Sequence, residues 1–233
     1  MLWRYEITGV DTITLHFGDQ IGVELAQRVH RATRQLRARL GNRLIDSVPS
    51  YTTIMLRYDL LQDDLASLIA TVTPILASLP DDTDVEDSPL VKIPVFYHPS
   101  VGPDLERIAE RAGISIEQAI ALHSGQTYHV FAIGFAPGFA YLGEVPESIA
   151  TPRLATPRHR VPAGSLGIAD TQTAIYPLDS PGGWNLIGRT PLTLFDTGRE
   201  PNSLLQTGQR VRFYPIDYEE YLALGGELGG GFA

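Results

Sequence analysis

The stretch "TPRLATPRHRVPAGS", Thr151 to Ser165, sets Arg153, Arg158 and Arg160 among three prolines. Each proline fixes its own φ and pushes the residue before it toward extended backbone. Stiff, irregular backbone is a good mount for guanidinium groups, which bind carboxylate or phosphate through paired hydrogen bonds. Anion binding is therefore the chemistry this stretch points to. The same residues also suit the corners of a barrel, with glycine for turns, proline for edges and arginine for solvent. Residue types alone leave both readings open.

Two further stretches share this character. "GFAPGFAYLGEVP" runs from Gly134 to Pro146, with Pro-Gly between two phenylalanines. "IYPLDSPGGWNLIGRT", Ile175 to Thr190, holds three glycines, two prolines, a tryptophan and an arginine in sixteen residues. No helix or strand rule asks for that mixture.

Other familiar chemistry is excluded. There is no GxxxxGK[ST] loop for nucleotide phosphates and no HExxH, and no metal site is expected. "AGSLG", Ala163 to Gly167, lacks the residue between the first glycine and serine that a nucleophile elbow needs. The chain has no cysteine, which removes disulfides, thiolate ligands and thiol nucleophiles together. Lys92 is the single lysine, and a net charge of −9 argues against nonspecific nucleic-acid binding. No apolar run approaches the roughly 18 residues of a membrane span. The N-terminus lacks the basic and apolar regions of a signal peptide, so a cytoplasmic location is expected.

The elements that must position these residues fall into two groups. "LWRYEIT" and "TITLHFG" read as strands. Leu25, Val29, Ala32, Leu36 and Leu40 then recur at helical spacing, with His30, Arg31, Arg34 and Arg37 on the opposite, basic face. That face is either solvated or a partner surface. "LIDSVPSYTTIMLRYD" reads as two strands around a Pro-Ser turn. "LLQDDLASLIATVTPILASL" reads as a helix capped by Asp59 and kinked at Pro74. The pattern predicts an α+β sandwich of ferredoxin-like type. "LPDDTDVEDSP" places five acids within seven residues and reads as a linker. The expected domains are residues 1–88 and 89–233.

The second domain opens with the strand "VKIPVFY" and two short helices. Pro103 suits the first helical turn, Gly113 the stop, and Ser115 with Gln118 a capping box. "TYHVFAIGF", "SLGIAD", "TAIYPL", "PLTLFD" and "RVRFYPI" read as short strands of a barrel or sandwich. The tail "GGELGGGFA" reads as flexible.

The three irregular stretches, taken in order with "LFD", resemble the Kip-inhibitor family from about Val91 to Ile216. "HFGD" and "VPSYTTIMLRYD" fit it more loosely. Members of that family include the B-type component of bacterial 5-oxoprolinase and proteins labelled allophanate hydrolase subunit 1. The resemblance implies a mainly-β cyclophilin-like barrel after the N-terminal domain. It implies a paralogous partner, the C-type component (Kip antagonist, or allophanate hydrolase subunit 2 type), and a third 5-oxoprolinase subunit. The implied reaction opens the lactam of 5-oxoproline to glutamate with ATP, used by the complex rather than through any nucleotide motif of this chain. Alternatives within the resemblance are a regulatory inhibitor of a sensor histidine kinase, and a component of a urea carboxylase-like carboxyltransferase. The absence of a Met-Lys biotinyl motif lowers the last.

Under this reading "SPGGW" walls a substrate pocket. Ser180, Gly182 and Gly183 supply close backbone, Trp184 an apolar face, and Gln172, Tyr176 and Arg189 polar contacts. Arg153 and Arg158 hold a carboxylate or a phosphorylated intermediate. His123 and His129 are the candidate bases, each competing with a structural role. No nucleophile is assigned.

Overall fold

A computed structural model describes residues 3–79 and 88–228, so the acidic linker and the last residues of the tail lie outside the described residues. The chain divides into two compact units, Met1–Asp87 and Ser88–Ala233.

The first unit runs β1 (Arg4–Ile7), β2 (Thr12–His16), α1 (Val23–Leu40), β3 (Leu44–Ser50), β4 (Thr53–Tyr58) and α2 (Leu65–Ala77). Its antiparallel sheet has the order β1-β2-β4-β3. Alternation along the strands buries Ile13, Leu15, Ile54 and Leu56 against the helices. Of the helical stripe, Val29, Ala32, Leu36 and Leu40 are buried, and Leu25 packs at the margin. Arg37 leaves the basic face, donating to the Ser47 carbonyl at 2.6 Å and to its hydroxyl.

Two local expectations are corrected. Asp64, not Asp59, caps α2, accepting the Ser67 N–H at 2.8 Å. Asp59 instead closes the preceding turn, taking the N–H of Leu61 at 2.9 Å and the side chain of Gln62 at 2.7 Å. The β3–β4 turn falls at Tyr51, with φ +34, because Pro49 and Ser50 still pair with Ile54 and Thr53.

The second unit runs β5 (Leu90–Val95), α3 (Leu105–Ala112), α4 (Ile116–Ser124), β6 (Tyr128–Ile133) and β7 (Ala140–Gly143). Then follow β8 (Arg158–Val161), β9 (Ser165–Ala169), β10 (Gln172–Ile175), β11 (Ser180–Gly182), β12 (Asn185–Arg189), β13 (Arg210–Pro215) and α5 (Tyr218–Ala223). Seven strands form one sheet in the order β12-β9-β10-β7-β6-β13-β5. Its two ends meet: Phe96 and Arg189 exchange backbone hydrogen bonds of 2.9 and 3.0 Å. This nearly closed barrel encloses a core that includes Tyr128, Val130, Leu142, Leu166, Ile168, Ile175, Ile187 and Phe213. β8 and β11 form a separate two-stranded ribbon.

Both halves of the Ser115–Gln118 capping box are made, and Gly113 ends α3 in the left-handed region at φ +66. "PLTLFD" is not a strand; it contributes a single bridge, Phe195 to Ser203. β7, β8, β11 and β12 arise instead inside the stretches read as irregular.

Candidate functional site

β9 and β10 alternate. Leu166, Ile168, Thr173 and Ile175 face the barrel interior, while Gly167, Ala169, Ala174 and Tyr176 face outward. Small residues at three of these outward positions leave a shallow floor, and Trp184 fills it. A Cβ on Gly167 would stand 3.1 Å from the Trp184 Cβ, so glycine is what lets the indole lie down on the sheet.

Trp184 is 4% exposed. Phe139 meets it edge-on at 5.7 Å and 90°, meets Tyr176 at 5.4 Å and Tyr141 at 4.9 Å, and is met by Phe135 at 5.2 Å. Edge-to-face contacts of this kind add to area burial. The ribbon closes over the cluster through Val161. Tyr176 is buried, and burial pushes its hydroxyl pKa up, against the hydrogen bond from the Trp184 backbone and the charges of Arg153 and Arg158. Gly182 comes so close that a Cβ there would overlap the Tyr176 hydroxyl.

The three proline-flanked arginines have three different fates. Arg158 ion-pairs with the buried carboxylate of Asp104 at 2.9 Å and donates to the Trp184 carbonyl at 3.3 Å. Arg160 pairs with Asp179 at 2.7 Å, and Asp179 also takes the Ala163 N–H at 2.8 Å. Arg153 lies over the Trp184 ring, 5.7 Å from its centroid, and makes no ion pair among the described residues.

The remaining sequence-predicted residues scatter. Gln172 opens β10 on the outward face shared with Ala174 and Tyr176. The Ser180 hydroxyl oxygen is enclosed, with no hydrogen-bond partner among the described residues. Gly183 accepts the Leu154 N–H at 2.8 Å. Arg189 stands at the far end of β12 from Trp184, roughly 16 Å along the strand. There it donates to the carbonyls of Ala163 at 2.8 Å and Glu227 at 3.1 Å. It lines a cavity of about 230 Å³ with Thr190, Tyr221 and Gly226. The single pocket expected from sequence is thus two places.

His123 is sealed inside the barrel, 1% exposed. The Thr173 hydroxyl donates to the Gly167 carbonyl at 3.0 Å, so it accepts from His123 Nε2 at 3.0 Å. Nδ1 is then the acceptor for the Tyr97 hydroxyl at 2.9 Å. A neutral imidazole satisfies every bond, and burial pushes its pKa down to about 3. This geometry suits an internal polar staple rather than a base. His129, half-buried on β6, lies opposite Arg210, and its pKa is lowered by burial and then by that charge.

Sequence reasoning missed Asp104, Asn185 and Phe135. Asp104 accepts the Leu186 N–H at 2.7 Å while holding Arg158. Asn185 donates to the carbonyls of Thr151, Pro152 and Ile168 at 3.3, 2.9 and 3.0 Å. Phe135 is 66% exposed at φ +70, an uncommon backbone for an aromatic residue. The signal for Phe135 was present, in the Gly-Phe-Ala-Pro-Gly context of a forced turn.

Known proteins are similar to this chain in sequence and in fold. Residues 3–205 match the family of the carboxyltransferase domain, subdomains C and D. A relative from Bacillus subtilis (strain 168), the B-type component of 5-oxoprolinase, is 36% identical over 235 residues, covering 96% of this chain and 98% of that protein. The crystal structure of TTHA0988 is similar with a TM-score of 0.76 and 39% identity, over 88% of this chain and 40% of that one. The Kluyveromyces lactis urea carboxylase shares the fold, with a TM-score of 0.72 at 18% identity over 95% of this chain and 22% of that one. The chain therefore spans two fifths or less of both structural relatives.

Proposed function

The chain belongs to the carboxyltransferase-domain family, subdomains C and D, and from that membership we propose that it is one component of an ATP-dependent 5-oxoprolinase. The observation that carries the reading is end-to-end similarity to a 5-oxoprolinase component, over 96% of this chain and 98% of the relative. On this reading the complex opens the lactam of 5-oxoproline to glutamate.

A lactam amide resists water because it is resonance-stabilised. Phosphorylation of the amide oxygen by ATP activates the carbonyl carbon toward water. The C–N bond then breaks with its nitrogen taking a proton, and a second water hydrolyses the resulting acyl phosphate to the carboxylate and phosphate. This chain contributes a rigid aromatic and cationic face around Trp184, which binds and orients and excludes water. It carries no GxxxxGK[ST] loop, and ATP enters this reading as used by the complex. The partners are the paralogous C-type component and a third one. Consistent with that division, the chain matches only 40% of the longer TTHA0988 chain. We take the location as cytoplasmic; no helix among the described residues is long and apolar enough to cross a membrane.

The same reading takes the barrel as cyclophilin-like. It takes the first unit as a ferredoxin-like variant, since β2 and β3 flank β4 in the manner of a split βαβ, with β1 at the outer edge.

The test is ATP-dependent conversion of 5-oxoproline to glutamate by the purified chain, alone and with its candidate partners. Turnover in the full mixture, absent from each component, is the expected result. No turnover in a mixture shown by sedimentation to be assembled would overturn the reading.

A further inference from the structure

We propose that Arg153 is the carboxylate receptor of the Trp184 face, with the indole as its platform and Phe135 as the exposed aromatic wall. The ligand class is a compact, ring-bearing monocarboxylate, selected by its charge. This rests on the 5-oxoprolinase reading for the ligand's identity, but not for its chemistry.

What each arginine already holds separates the three. Arg158 is committed to Asp104 and the Trp184 carbonyl, and Arg160 to Asp179. Either would have to give up a carboxylate to take another. Arg153 would not: its side chain is exposed and lies on the face of Trp184, at 5.7 Å, with no acid paired to it among the described residues. A cation–π placement over an aromatic face leaves a guanidinium's N–H groups available to a ligand.

The mount is unusually well fixed for an exposed arginine. Asn185, fully buried, donates to the carbonyls of Thr151 and Pro152 immediately before it. The Leu154 N–H immediately after it is held by the Gly183 carbonyl at 2.8 Å. Thr151 is itself buried and bridged to Asp170. A surface charge kept only for solubility needs no such anchoring. A receptor does, because ordering it in advance lowers the entropy lost on binding.

The surroundings set the ligand class. Trp184 and Phe139 carry the aromatic layer outward to Phe135, which stands 66% exposed on a left-handed backbone at φ +70. Trp184 and Phe139 are themselves buried, so the aromatic surface open to a ligand's ring is Phe135, while its carboxylate meets the guanidinium. One unpaired arginine suits a single negative charge, and a phosphate would call for further donors. A neutral substrate such as urea gains nothing from this arrangement.

The experiment measures binding of 5-oxoproline and of its neutral carboxamide to the full-length protein, in the assembled complex, by calorimetry. Arg153→Gln and Phe135→Ala are compared with wild type, and circular dichroism checks folding. The wild type is expected to prefer the acid, and Arg153→Gln to weaken acid binding about 10- to 100-fold while leaving the amide unchanged. In turnover assays the loss should fall on KM. Phe135→Ala should weaken both ligands together. Equal loss of acid and amide in Arg153→Gln, or no loss, would overturn the proposal even in an active complex. If the complex proves inactive on 5-oxoproline, cyclopentanecarboxylate and its amide serve as the binding pair. Charge discrimination abolished by Arg153→Gln would then support the receptor without the enzyme reading, and its absence would overturn both.

Discussion

The Arg158 guanidinium stands 2.9 Å from the Asp104 carboxylate, and that carboxylate also takes the backbone N–H of Leu186 at 2.7 Å. One ion pair therefore ties the β8–β11 ribbon, the start of α3 and the strand β12 together. Asp104 is almost completely buried, and Arg107, at 3.8 Å, is its only other cation among the described residues.

Removing Arg158 leaves Asp104 with the Leu186 N–H and the more distant Arg107. Arg158→Ala should cost about 1–3 kcal/mol, read as a lower urea midpoint. Arg158→Ala with Asp104→Asn should cost less than the sum of the two single changes, since neither charge is then left alone. Additive losses would show that the pair contributes nothing as a pair.

His123 gives a pH signature. Its folded pKa, about 3, lies below the ordinary histidine value of 6.5, so the unfolded chain binds the proton more readily. The stability this group contributes is full above about pH 6.5 and falls as pH drops toward 3. Nitrogen NMR should show neutral, Nε2-protonated His123 throughout pH 5–8. A charged imidazolium signal near pH 6 would contradict the staple geometry.

Adjacent glycines should behave differently. A Cβ at Gly182 overlaps the Tyr176 hydroxyl, whereas one at Gly183 meets Pro157 at an ordinary 3.6 Å. Gly182→Ala should cost about 1–3 kcal/mol and alter the near-ultraviolet signal of the aromatic cluster. Gly183→Ala should be within about 1 kcal/mol of neutral. Thermal unfolding of the two variants decides this, and similar losses would refute the distinction.

The capping box on α4 is a simpler test. Ser115→Ala removes the acceptor for the Gln118 N–H at 3.2 Å and should cost about 1 kcal/mol. Hydrogen exchange should rise in the first turn of α4 before it rises around His123. Uniform exchange along the helix would argue against local capping.

Much of the fold was legible because periodicity and capping are local. The stripe from Val29 to Leu40, the box at Ser115, the stop at Gly113 and the strands around Leu166 and Phe213 each announce themselves within a few residues. β7, β8, β11 and β12 did not, because glycine and proline hide strands whose pairing is fixed by neighbours far along the chain. Arg189 and Trp184 looked like one site, being five residues apart in sequence. An extended strand separates what a loop would have brought together.

By itself, the sequence determined the residue chemistry: an acidic, cysteine-free chain with arginines mounted among prolines, and the order of its motifs. Only the tertiary structure decided which arginine is spent and which is not. Arg153, Arg158 and Arg160 are alike in charge and setting along the chain, but Asp104 and Asp179 reach two of them from distant positions. Proximity in three dimensions, set by barrel closure and the packing of Trp184 on Gly167, is a property no local pattern encodes.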